Sequence, residues 1–183
     1  MMMTQHHAPH APSIAAPSSF TPAASFSRTL INFARGRVHF GGSNRGRRIV
    51  MEDGTRFTIF RQVRVEGPQV TEAPTSTVVF RVRFRLANMR PWLNKLFSLL
   101  PIPLFIGLPG FQAKCWCLDE ATGTFQGLYE WRSRAHAEAY ARSFAMRFMV
   151  GRSVPGTVHH DILPGRNLDE YVESLSEAAE VLA

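Results

Sequence analysis

The sequence predicts an α+β domain over residues 77–164, in which strands and helices follow the order β-α-β-β-α-β. Three observations predict it. Residues 78–86 alternate strictly between apolar and mostly basic side chains, residues 111–131 contain two strand-like runs joined by a short turn, and two stretches of helical periodicity separate the strands.

The first predicted strand has one apolar and one largely basic face. The apolar face carries Val78, Phe80, Val82, Phe84 and Leu86, and the other carries Val79, Arg81, Arg83 and Arg85. We expect the apolar face to lie against the helices of the domain.

A helix is predicted next, over residues 91–100. Pro91 suits a first helical turn and Pro101 ends it. Its apolar stripe consists of Trp92, Leu93, Leu96, Phe97 and Leu100. The apolar run continues to Phe111, but prolines and glycines interrupt it, so no membrane span is expected. It is either a buried loop or an apolar lid over a pocket.

The second and third strands, residues 111–118 and 124–131, are predicted to form an antiparallel hairpin. Ser133 then suits the N-cap of a helix that reaches Met149, and residues 157–163 read as a last strand. This order is the split pattern of ferredoxin-like folds, with helices on one sheet face. The other face is left open, which predicts a homodimer that forms an α/β barrel around a cavity.

Three segments flank this domain. Residues 48–76 are predicted to be a β-hairpin, with Asp53-Gly54 at its turn, followed by a loop. Over residues 165–183 we predict a C-terminal helix. We expect its apolar side to lie across the predicted domain or across a second subunit. Residues 1–47 show no sustained hydrophobic periodicity, and we therefore predict that they form a disordered basic head. That head would be an organelle transit peptide if the source is eukaryotic.

The net charge of +7 is concentrated in residues 1–51, where six arginines precede the first carboxylate at Glu52. The remainder carries a surplus of only one positive charge, so a folded nucleic-acid-binding surface is not expected. Cys115 and Cys117 lie on one face of a strand and are expected to be reduced and buried. No metal site or cofactor is predicted, and a cytoplasmic location is expected.

Several runs resemble one known family. Residues 108–116 read LPGFQAKCW, residues 127–131 read GLYEW, a helix with Ala137 and Tyr140 follows, and residues 154–158 read VPGTV. Together they resemble the YdhR-like monooxygenases of the dimeric α/β-barrel superfamily, over about half of the chain. The resemblance implies the ferredoxin-like fold and, by analogy, oxygenation of a hydrophobic molecule without a cofactor.

Strand alternation nominates candidate site residues. In the second strand it assigns Lys114 and Trp116 to the barrel side, with Arg83 from the first strand, and Ala113, Cys115 and Cys117 to the side of the helices. The third strand presents either Tyr129 and Trp131, as an aromatic wall, or Glu130, as an ion-pair partner or catalytic carboxylate. The predicted substrate contacts are Phe111, Lys114, Trp116, Tyr129 and Trp131.

His160 is the predicted general base, because its neighbours Val158 and Ile162 share its face and imidazole titrates near neutral pH. It would deprotonate an aromatic substrate, whose anion passes an electron to O2, while Arg83 stabilises the developing charge and Glu130 completes the catalytic group. The alternatives are a non-oxidative cyclase or isomerase of the same fold, and a dimer that binds a ligand without turnover.

Overall fold

A computed structural model describes residues 20–67, 77–87, 99 and 102–181. The helices are α1 (Pro22–Ala34), α2 (Ile102–Phe105), α3 (Arg134–Ala141), α4 (Phe144–Arg152) and α5 (Leu168–Val181). The strands are β1 (Val38–Phe40), β2 (Arg48–Val50), β3 (Arg56–Val65), β4 (Val78–Phe84), β5 (Phe111–Asp119), β6 (Thr124–Trp131) and β7 (His159–Pro164). The predicted helix over residues 91–100 and most of the predicted loop over 67–76 lie outside the described residues.

All seven strands form one antiparallel sheet in the order β1-β3-β5-β6-β4-β7, and β2 also pairs with β3. Within this order, β5, β6, β4 and β7 are respectively the second, third, first and fourth strands of the predicted domain. This is the strand order of a ferredoxin-like sheet, so the predicted α+β fold class is confirmed.

The predicted hairpin of residues 48–65 is confirmed and extends this sheet. Gly54 supplies the positive φ of 79° that the tight turn needs, and Asp53 accepts a hydrogen bond from the Thr55 amide at 3.0 Å. Because β3 pairs with β5, the hairpin adds to the sheet edge beside the second strand of the domain.

The sheet separates two apolar cores. We call its first side the helical face, which lies against α2, α3 and α4 and carries Phe80, Val82, Trp116, Tyr129 and Trp131. The other side, the tail face, carries Ile59, Val79, Cys115, Cys117 and Leu128. Helix α5 packs on the tail face and against β2, burying Leu168, Tyr171, Val172 and Leu175. The face that was predicted to be open to a second copy is therefore covered within the chain.

The predicted facing of β5 is wrong from Ala113 onward. The register between β5 and β6 shifts between Phe111 and Ala113, which is a β-bulge. Phe111 thus shares the helical face with Trp116, whereas Ala113 and Cys115 point to the tail face. Both cysteines are free and buried, as expected.

Residues 20–47 differ from the predicted disordered head. Thr21 caps α1 by accepting a hydrogen bond from the Ala24 amide, and Pro22 opens the helix. The hydroxyls of Ser25 and Thr29 donate to the backbone oxygens of Leu104 and Pro103, the second at 2.6 Å. Because α1 is attached through small polar groups, its buried side leaves no apolar stripe in the sequence. Across the described residues, no helix combines the length and apolar character needed to cross a bilayer.

Candidate functional site

An apolar cavity of 220 Å³ lies between the helical face of the sheet and helices α2, α3 and α4. We call it the aromatic cavity, and its wall includes Phe105, Lys114, Trp116, Tyr129, Tyr140 and Phe148. An apolar protein cavity of about 150 Å³ can bind benzene. The aromatic cavity therefore has room for a larger ring system.

Lys114 supplies the amine of this cavity. Its side chain is only 6% exposed, and its Nζ lies 4.4, 4.2 and 4.3 Å from the ring centres of Phe105, Trp116 and Tyr129. Burial lowers the pKa of Lys114 well below its ordinary value, and the nearby Arg61 adds to the lowering. Among the described residues, no carboxylate forms an ion pair with Lys114.

Two tyrosines form the wall beside the amine. The Tyr140 hydroxyl donates to the Tyr129 hydroxyl at 2.8 Å, and burial raises the pKa of both phenols, so both are protonated at neutral pH. Tyr129 keeps its own proton for a further acceptor. Gly127 makes room for its ring, because a Cβ there would lie 2.6 Å from the Tyr129 ring.

Helix α4 forms the outer wall. Phe144, Phe148, Met149 and Arg152 recur on one side of it and line the cavity. Phe148 is 55% exposed, and the Arg152 guanidinium lies 5.2 Å from its ring centre. Because Phe148 is half exposed and the Arg152 cation lies over its ring, we infer that this wall is the entrance to the cavity.

The sequence predicted one helix from Ser133 to Met149, but the structure has two. Ser143 interrupts it by capping α4, since its hydroxyl accepts a hydrogen bond from the Met146 amide. The turn of the chain at Ser143 brings Phe144 and Phe148 to the cavity. The predicted helix includes Phe144 and Phe148 but gives them no place in the site, and Arg152 lies beyond its end. Phe105 belongs to the apolar run that is predicted to be either a buried loop or a lid over a pocket, and it lines the cavity. The second N-cap serine, Ser143, is the signal that could have indicated α4.

Five predicted substrate contacts lie on the helical face, and three of them line the cavity, namely Lys114, Trp116 and Tyr129. Phe111 and Trp131 form the next aromatic layer. Trp131 lies edge-on to Phe111 with ring centres 5.6 Å apart and packs on Tyr140 at 4.9 Å. Tyr129 and Trp131 share the helical face with Lys114, whereas Leu128 and Glu130 lie on the side away from the helices, where the barrel cavity was predicted.

Arg83 lies on the opposite side of the sheet from Lys114, so the predicted shared site is wrong. Its guanidinium bonds Asp53 at 2.5 Å and Gln126 at 3.1 Å, and it lies 5.2 Å from the ring centre of Phe57. The β-bulge at the start of β5 is the reason, because it turns Lys114 to the helical face.

Glu130 is also on the tail face, where it has a structural role at the start of α5. Its carboxylate accepts a hydrogen bond from the Leu168 amide at 2.7 Å and lies 3.6 Å from the Arg64 guanidinium. Burial raises the pKa of Glu130. The predicted ion pair thus exists with Arg64 and not with Arg83 or Lys114.

His160 lies outside the cavity. It is exposed on the edge strand β7, and its ring stacks on Phe80 with centres 5.2 Å apart. The predicted base is therefore separated from the cavity by Phe80, which packs against Tyr140 on its other side.

His159, on the tail face, borders a polar pocket of 250 Å³ with Glu52, Asp53, Arg81 and Asp161. Arg81 bonds Glu52 at 2.6 Å and Asp161 at 2.9 Å, so this pocket is the centre of an ion-pair network that joins the hairpin to β4 and β7. No group of three or more His, Cys, Asp or Glu side chains within the described residues has the geometry to hold a metal ion.

No protein-family profile matches the sequence, and no curated protein matches it significantly. Among solved structures, the fold is similar to an uncharacterised ferredoxin-fold protein from Listeria monocytogenes that is related to antibiotic-biosynthesis monooxygenases. The sequence identity is 13%, the match covers 65% of this chain and 69% of that one, and the TM-score is 0.44.

Two other solved structures are similar to a comparable degree. A monooxygenase-like protein from Listeria innocua is 14% identical, with 64% of this chain and 68% of that one covered and a TM-score of 0.43. A haem-degrading enzyme from L. monocytogenes is 13% identical, with 70% and 97% covered and a TM-score of 0.45. At these scores none of the three determines what this chain binds or does, and the narrower resemblance to YdhR-like proteins stays a prediction.

Proposed function

We propose that the aromatic cavity binds a hydrophobic aromatic molecule with an acidic hydroxyl group, and that the protein is a cofactor-independent monooxygenase that acts on it. The observation that carries this proposal is the Lys114 amine, which is buried among three aromatic rings with no carboxylate partner among the described residues. The apolar wall favours binding of an aromatic ring system. The Lys114 amine favours a ligand that carries an acidic proton on that ring system.

The first step is proton transfer from the bound hydroxyl to Lys114. Burial lowers the pKa of Lys114 and so favours its neutral amine. Once the ligand has ionised, its anion lies beside the new ammonium group, where few water molecules screen their attraction. The three ring faces stabilise the ammonium further. Ligand binding thus provides the charge partner that the described residues do not.

The second step is the reaction of the electron-rich anion with O2. The anion gives an electron to O2, and the Lys114 ammonium and the Tyr129 hydroxyl stabilise the reduced oxygen that forms. In a substrate with an activated methylene group, one oxygen atom enters the ring as a carbonyl. Both methylene hydrogens leave with the other oxygen atom as water, so all the electrons come from the substrate and O2.

This assignment changes the roles predicted from the sequence. Lys114 replaces His160 as the base and replaces Arg83 as the positive charge, because both lie outside the cavity. The cavity residues named above all belong to one chain. The proposed chemistry therefore does not depend on the predicted homodimer.

Oxygen uptake by the full chain with a dihydroxyanthrone tests the function. We expect catalysed uptake above the rate of spontaneous oxidation, and we expect Lys114→Met to lower it by at least about 100-fold, the usual contribution of a positioned base. His160→Gln is the matched control and should retain the wild-type rate. Saturable binding without uptake would refute oxygenation and leave a binding protein, whereas product formation without O2 would identify the cyclase or isomerase alternative.

A further inference from the structure

Helix α1 has its polarity reversed. The residues it buries are the small polar Ser25 and Thr29, whose exposed fractions are 0% and 1%. Its large apolar side chains point to solvent, and all are between 45% and 55% exposed. They are Phe26, Leu30, Ile31 and Phe33. A helix of a soluble domain ordinarily does the opposite.

The apolar area continues onto β1. Phe40 is 54% exposed, and its ring stacks on Phe33 with centres 6.1 Å apart. We call Phe26, Leu30, Ile31, Phe33 and Phe40 together the α1 surface. Contiguous exposed apolar side chains of this size mark an interaction site.

Arginines outnumber carboxylates around the α1 surface. Arg35 is exposed at the end of α1, and Arg45, Arg47 and Arg48 are exposed in the segment that follows β1. The sequence has no Asp or Glu before Glu52. The nearby carboxylate of Glu66 bonds His39 at 3.2 Å. Exposed apolar side chains with arginines beside them match the interface of an anionic lipid layer.

We propose that the α1 surface docks the protein onto an anionic lipid surface, with α1 lying in the plane of the interface. With 13 residues, α1 is about 20 Å long, which is too short to cross the hydrocarbon layer. The contacts of Ser25 and Thr29 with the backbone at 103–104, and of Arg28 with the Gly107 oxygen at 3.2 Å, hold it folded against the domain. Docking therefore requires no coil-to-helix transition.

A second copy of the chain fits this surface less well. In a symmetric dimer the same patch faces itself, so the arginines of both copies would lie close together. A nucleic acid would satisfy the arginines but would leave the five apolar side chains in water. An anionic lipid layer can contact both the arginines and the five apolar side chains.

Docking would also bring the lipid close to the aromatic cavity. Helix α1 rests on the segment that provides Leu104 and Phe105 to the cavity wall. An apolar ligand dissolved in the lipid layer would then have a short path to the cavity. The docking itself stands on α1 and β1 and is independent of the proposed function.

Co-sedimentation of the full chain with lipid vesicles tests the proposal. We expect binding to vesicles of phosphatidylglycerol and phosphatidylcholine, and binding at least about tenfold weaker to pure phosphatidylcholine or at high salt, because salt screens the arginines. The double variant Leu30→Ser/Phe33→Ser should lower the partition coefficient at least about tenfold. Val150→Ser removes an equally exposed apolar side chain from α4 and should bind like the wild type. Unchanged circular dichroism spectra would show that both variants fold.

A second double variant tests the contribution of the arginines to vesicle binding. Arg35→Gln/Arg47→Gln should weaken binding to anionic vesicles and leave the weak binding to phosphatidylcholine unchanged. The proposal is overturned if the folded wild type does not bind anionic vesicles, or if Leu30→Ser/Phe33→Ser and Val150→Ser bind equally. It is also overturned if the wild type is a dimer that Leu30→Ser/Phe33→Ser dissociates, or if duplex DNA binds through the arginines and the apolar variant has no effect.

Discussion

On the tail face of the sheet, Arg81 and Arg83 lie against carboxylates, whereas on the helical face Lys114 lies against aromatic rings. The arginines join the hairpin, β4, β7 and α5 into one unit, so their charges serve the fold. The Lys114 amine has no ion-pair partner among the described residues and lies against three aromatic rings. Under the proposed function, this difference separates structural charge from functional charge, and each of the following variants tests one side of it.

The largest effect on stability is expected on the tail face, at Tyr171. Its ring lies on the buried side of α5 and is 1% exposed, and its hydroxyl lies 3.1 Å from both Glu52 and Arg81. Tyr171→Ala should lower the free energy of unfolding by about 3–5 kcal/mol, measured by urea denaturation. Glu173→Ala, at an exposed position of the same helix, is the control. A loss below about 1 kcal/mol would show that α5 is not an integral part of the fold.

Lys114→Met is expected to act in the opposite direction, because it removes a buried amine and keeps the volume. It should raise the free energy of unfolding by about 1–3 kcal/mol at neutral pH. The pKa of Lys114 is lowered in the folded state, so the unfolded chain binds the extra proton and wild-type stability rises with pH. The advantage of the variant should thus shrink as pH approaches the unfolded value of about 10.4. An advantage that is constant with pH would contradict a depressed pKa.

A smaller effect is expected from Glu130→Gln, which keeps an acceptor for the Leu168 amide and removes the charge. Burial raises the pKa of Glu130 in the folded state, so its contribution to stability is present below the unfolded pKa and is lost as pH rises through the folded pKa. The wild type should therefore gain stability relative to the variant between pH 7 and about pH 4. We expect a change of about 1 kcal/mol, measured by urea denaturation at both pH values. The reverse trend would mean that the Arg64 ion pair dominates.

The sequence was sufficient for the strand order, because β4 and the β5–β6 hairpin alternate clearly and their turns are short. It was also sufficient to nominate Lys114, Trp116 and Tyr129. It could not show on which face Lys114 lies, because a β-bulge between Phe111 and Ala113 reverses the alternation and has no distinct residue pattern here. Nor could it show α1, whose attachment consists of hydroxyl groups bonded to distant backbone oxygens.

The central claim is that Lys114 takes a proton from a ligand in the aromatic cavity. Absorbance titration of the full chain with naphthol tests it most directly, because the naphtholate anion absorbs at longer wavelength than the neutral molecule. We expect bound naphthol to show the naphtholate band at a pH where free naphthol is neutral, and we expect Lys114→Met to bind naphthol without that band. A naphtholate band that persists in Lys114→Met, or naphthol that binds the wild type only in its neutral form, would contradict the claim.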